Sequence, residues 1–105
     1  MRFQALEKLI NLHDGYRNNF KIDSLQLLLR QDHGVLILLE AFCPHQAHPL
    51  AEAVISNDIL ECPLHGYRFA ISDGTPVRTG KQNCRHLRVF ELIYEGNEVG
   101  LMLDD

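Results

Sequence analysis

At 105 residues, 46% of them hydrophobic and 23% charged, the chain fits one domain, 1–105, with a core that needs no disulfide staples. A formal charge of −4 excludes general nucleic-acid binding, which draws on Lys and Arg against phosphate, and the lack of Trp removes an obvious stacking platform. The opening MRFQALEKLI carries charges at Arg2, Glu7 and Lys8, and the longest aliphatic run, VLILL at 35–39, is far short of a membrane span, so a soluble cytoplasmic chain with no membrane role is expected.

In chain order, FQA reads as a first strand, with Leu6, Leu9 and Ile10 spaced for one helical turn after it. NFKI and SLQLLLR follow as strands, QDHG as a turn, and VLILLEA as an apolar strand that delivers the chain into a corner, FCPHQAHPL at 42–50. AVISNDILEC reads as a hairpin turning at Ser56-Asn57-Asp58 and leading to a second corner, ECPLHGYRF at 61–69. YRFAI leaves that corner, and SDGTP supplies Gly and Pro for another turn. LRVFELIYEGNEVGLML predicts a closing hairpin about Gly96-Asn97. Short, evenly spaced strands of this kind predict an all-β antiparallel sandwich or small barrel, with both corners at one end.

Each corner offers one thiol and one imidazole: Cys43 and His45 as C-x-H, Cys62 and His65 as C-x-x-H, with sixteen residues (46–61) between. Pro44 and Pro63 stiffen the chain after each Cys, and Gly66 lets the backbone pass close to a bound group. Two thiolates and two imidazoles suit tetrahedral zinc or an iron–sulfur centre. Ordinary zinc modules pair like ligands, whereas each loop here mixes sulfur and nitrogen. The odd count of three Cys also argues against a secreted disulfide framework.

With CPH, sixteen residues and then CPLHGYRF, the chain resembles the Rieske-type [2Fe–2S] proteins, in particular the small Rieske ferredoxins. The likeness extends through the strands before the first box to the closing L-x-x-F-x-L. It implies a two-loop cluster-binding subdomain at one end of the fold and one [2Fe–2S] cluster per chain. Cys43 and Cys62 would hold one iron, and His45 and His65 the other. Members of high potential carry a further Cys in each box, joined as a disulfide; His48 and Leu64 stand in those places, and Tyr67 replaces a hydroxyl residue after His-Gly. Fewer such supports place this chain at the low end of a range of roughly −150 to +300 mV. Gly80-Lys81 departs from the Gly-Pro of a covering loop in many members.

The resemblance implies a one-electron carrier rather than an enzyme, monomeric when free, passing electrons from a flavin reductase to a terminal oxygenase or similar redox enzyme. Two alternatives use the same residues: the small subunit of a reductase such as nitrite reductase, and a structural Cys2His2 zinc module that binds a protein partner. The remaining histidines His13, His33 and His86 are expected at the surface, His48 at a loop tip, and Cys84 in packing. Tyr67 and Phe69 are expected to pack beneath the loops. Residues 66–90 hold Arg68, Arg78, Lys81, Arg85 and Arg88 against Asp73 alone, a basic stretch expected as a solvated face, with partner docking the alternative.

Overall fold

The computed structural model describes residues 1–44, 48–63, 66–78 and 85–104. Eleven strands and one 3-10 turn (Leu9–Asn11) occur among them: β1 (Arg2–Lys8), β2 (Arg17–Ile22), β3 (Leu25–Asp32), β4 (Val35–Glu40), β5 (Val54–Ser56), β6 (Ile59–Glu61), β7 (Arg68–Ala70), β8 (Pro76–Arg78), β9 (Val89–Phe90), β10 (Ile93–Glu95) and β11 (Glu98–Leu103). They form three antiparallel sheets, in the orders β1-β11-β10, β2-β3-β4-β9 and β5-β6-β7-β8. The all-β expectation holds. No helix among the described residues is long and apolar enough to cross a membrane.

The unbroken leucine run of β3 and the VLILL of β4 make sense because this middle sheet is covered on both faces. Side chains alternate along a strand, so neighbours enter different cores. Leu28 and its cross-strand partner Leu39 enter one core, with Leu60 and Phe69 of the third sheet. Leu29 and its partner Leu38 enter the other, with Val99, Leu101 and Leu103 of β11.

The turns follow local chemistry. Asn57 and Asp58 both take positive φ (53° and 62°), as do His33 and Gly34 (50° and 79°), which suits two-residue hairpins with the twist of their strands. Ser56 is therefore a strand residue paired with Ile59, and the turn is one residue shorter than the sequence suggested. Leu6 likewise lies in β1, leaving Leu9 and Ile10 to the 3-10 turn.

The closing segment differs more. Gly96-Asn97 does join β10 to β11, but β11 also pairs along its length with β1. Val89 and Phe90 break away before Glu91 and pair with Leu39 and Leu38 of the middle sheet. Alternation alone cannot separate these cases, because both sheets offer the same apolar faces. The three-residue β8, which pairs with β7, carried no sequence signal strong enough to be expected.

Asp73 and Gly74 make the turn between β7 and β8. The Asp73 carboxylate accepts hydrogen bonds from the Thr75 amide (2.9 Å) and hydroxyl (2.7 Å), which hold it below the usual carboxylate range. Gly74 has φ +79°, its N–H donates to Ala70, and its carbonyl accepts from Leu87. A Cβ there would overlap the Leu87 carbonyl, whereas one at Gly15, also at positive φ, meets nothing. Gly74→Ala is therefore expected to cost about 2–3 kcal/mol in urea unfolding and Gly15→Ala about 1 kcal/mol; equal losses would show that backbone strain alone matters.

Candidate metal centre

Both corners are the ends of hairpin arms. In the first, which extends β4, the Leu50 amide donates to Ala41 (2.9 Å), Phe42 bridges Pro49, and the Cys43 amide donates to His48 (2.8 Å). In the second, made by β6 and β7, Leu60 pairs with Phe69, Glu61 with Arg68, and the Cys62 amide donates to Tyr67 (2.7 Å). Among the described residues each Cys is thus the last to donate across its arm, and its amide reaches the residue five further on. Four residues lie between the bonded positions in each arm, 44–47 and 63–66. A Pro opens each of these loops, where its missing N–H removes no ladder bond.

Cys43 and Cys62 are 2% and 1% exposed and belong to one core with Leu50, Tyr67, Phe69 and Leu87. Neither is in a disulfide. Tyr67 and Phe69 pack beneath the arms as expected. His48, part-buried, lends its backbone carbonyl to the closure of the first arm. Gly66 is at φ +68° with no protein atom near a built Cβ, so the backbone conformation, rather than a close approach by protein, requires glycine. His45, His65, Leu64, Gly80, Lys81 and Cys84 lie outside the described residues, and the expectations placed on them are carried by sequence. His13, His33 and His86 are exposed, as expected.

The basic stretch is less basic in space than in sequence. Arg68 bonds Glu61 at 2.6 Å, both part exposed, and Arg85 grips the Glu40 carboxylate through both Nη atoms (2.9 and 2.7 Å). Arg88 donates its amide to Glu40 and lays its guanidinium 5.4 Å from the Phe90 ring centre. Two of the five cations are thus answered by acids from outside the stretch. Arg78 of β8 pairs through its backbone with Arg68.

Sequence reasoning passed over one group altogether. Arg30, 1% exposed, donates from Nε to Asp32 (2.8 Å) and from Nη1 to the Leu50 carbonyl (2.9 Å). Arg17 donates from Nη2 to the other Asp32 oxygen (2.6 Å) and from Nε to the Ala51 carbonyl (2.8 Å). The foot of the first arm is thereby tied to the middle sheet. The Arg that follows three consecutive leucines in LQLLLRQD was the available signal.

The sequence pattern of the Rieske [2Fe-2S] domain matches residues 3–91. The chain belongs to the Rieske [2Fe–2S] domain family. It spans only 9–14% of the length of three curated relatives, among them the oxygenase component of dicamba O-demethylase from Stenotrophomonas maltophilia, 40% identical over 46% of this chain. The ferredoxin component of biphenyl 2,3-dioxygenase from Rhodococcus jostii (strain RHA1) is 29% identical and matches over 90% of each chain. Among solved structures, a chain in the complex of reduced oxygenase and oxidised ferredoxin of carbazole 1,9a-dioxygenase superposes with a TM-score of 0.71. That match covers 91% of this chain and 97% of the other at 23% identity.

The described pair of site cysteines in this Rieske domain suits a [2Fe–2S] cluster. Iron of such a cluster takes thiolates. Thiolates enclosed by apolar side chains need a compensating positive charge, which bound metal supplies. Two buried cysteines on separate arms of one core provide that donor pair.

Asp32 also sets an acid limit on the arm. Burial raises its carboxyl, but hydrogen bonds and charge from Arg30 and Arg17 outweigh this and hold it below the ordinary carboxylate range. A depressed folded value means the stabilisation is present above the unfolded value, about 3.9, and is lost as pH falls through the folded one. Asp32→Asn is expected to lose about 3 kcal/mol at pH 7 in urea unfolding, the gap to wild type closing below about pH 4. A gap unchanged at low pH would count against the ion pairs as its source.

Proposed function

We propose that this chain is a one-electron carrier of the small Rieske ferredoxin kind, a single domain over 1–105 working in the cytoplasm. Cys43 and Cys62 hold one iron of a single [2Fe–2S] cluster, and His45 and His65 hold the other. The observation that carries this is the matched pair of hairpin arms, each ending in a buried Cys of the same core, with a His in each four-residue loop. When bound, the cluster supplies reversible one-electron chemistry. The protein's part is to clamp both arms by their cysteine amides and to exclude water from the sulfur side with Leu50, Tyr67 and Leu87. With four protein ligands the iron is left no open position for a substrate, so the chain relays electrons and does not itself transform one.

The match over nearly the whole of a dioxygenase ferredoxin component supports a carrier over an enzyme. The solved complex between an oxygenase and a ferredoxin supports a terminal oxygenase as the partner receiving the electron. A flavin reductase upstream completes the proposal.

The purified protein should contain two irons and two labile sulfides per chain, and its reduced form should give an EPR spectrum whose average g lies well below that of all-Cys clusters. Cys62→Ser should lose the cluster, and His65→Cys should move the spectrum toward the all-Cys type if cluster is retained. A colourless protein binding one zinc would overturn the reading in favour of a structural module.

A further inference from the structure

Arg30 heads the fully buried side chains in size among the described residues and is the sole charged one among the buried ones. It follows Leu28 by two along β3 and so leaves the sheet on the face that carries the core of the arms. Directly opposite it in the register stands Arg17, and like charges so placed repel. Asp32 bonds both guanidinium groups, which leaves the trio with one net positive charge. Their further bonds to the Leu50 and Ala51 carbonyls meet the chain at the foot of the first arm.

Packing alone does not call for this arrangement, because an apolar side chain of similar volume fills a core without the desolvation cost of a guanidinium. What an apolar residue cannot do is fix the Leu50 carbonyl while leaving a net cation beneath the arms. The Leu50–Ala41 pair lies two residues below Cys43 along the arm, roughly 7 Å at the rise of a strand. Adding the hydrogen bond gives a path of roughly 10 Å from the guanidinium to the Cys43 backbone, and at an effective dielectric of about 20 a unit charge at that range is felt at the tenfold level.

We propose that Arg30 is a positioning residue for the metal centre: it seats the first arm through the Leu50 carbonyl, and its charge makes the centre easier to reduce. This rests on the cluster reading above. Asp32 holds the guanidinium in place and offsets part of its charge, so the two residues act on the potential in opposite senses while both support the fold.

The test compares holoproteins by film electrochemistry, with EPR and visible circular dichroism as checks on the cluster. Arg30→Met is expected to lower the ratio of reduced to oxidised protein at fixed poise about tenfold, a shift of about 59 mV. Arg30→Lys, which keeps the charge and loses the fork, should stay within about threefold of wild type. Asp32→Asn removes a negative charge and should shift the potential upward, and it keeps the proposal testable if Arg30→Met does not fold. Opposite shifts support the proposal. Unchanged potentials, or shifts of the same sign in Arg30→Met and Asp32→Asn, overturn it and leave a structural ion pair. Wild-type protein without a [2Fe–2S] cluster overturns the cluster reading and this inference together, an outcome told apart at the first iron and sulfide determination.

Discussion

Register in β2 and β3 sets Arg17 and Arg30 face to face, and the Asp32 carboxylate between them offsets their repulsion. Much of the site depends on this one acid. Through it both guanidinium groups are held in the geometry that lets them grip the Leu50 and Ala51 carbonyls. Those carbonyls belong to the return strand of the arm whose outgoing strand ends at Cys43. The position of the first cysteine is thus referred back, through three hydrogen-bonded steps, to the middle sheet. The second arm needs no such tie, because it is itself the β6–β7 hairpin of a four-stranded sheet.

The same logic explains why the middle sheet is apolar on both faces. One face closes against β1 and β11 and builds a core with no part in the chemistry. The other closes against the third sheet and the arms, and both cysteines lie in that core. A buried cation is affordable on that face alone, since it is there that backbone carbonyls of an incoming loop require donors. On the other face Leu27 and Leu29 lie in a cluster of aliphatic and aromatic side chains.

The strands of the first half of the chain and the turn at Gly96-Asn97 were legible because period-2 patterns and turn residues act locally. The two boxes were legible because Cys, Pro and His recur there at fixed spacing. Less legible were features that depend on what lies across space. Whether Val89 and Phe90 continue toward β10 or pair with β4 is decided by which sheet edge is open, and sequence alternation is the same in either case. The pairing of Arg85 with Glu40 spans 45 residues and turned a stretch that reads as basic into a partly neutralised one. Arg30 showed itself only as a polar interruption in a leucine run, and its partners at Leu50 and Asp32 could be named only once the arm was folded back.

The arms also show why the two boxes differ in spacing. Their bonded ends are equivalent: a Cys amide donates to the residue five further on, across four loop residues opened by Pro. Within loops of equal length, His is the second residue in PHQA and the third in PLHG. C-x-H and C-x-x-H are therefore one loop length carrying its imidazole at two different steps, and the family signature need not mean two loops of different size. The thiols occupy ladder positions, where paired amides and an apolar core fix them, and in sequence the imidazoles follow those cysteines by two and three residues. The held backbone and the apolar packing thus meet on the sulfur side, and it is the arm of Cys43 that Arg30 bonds through the Leu50 carbonyl.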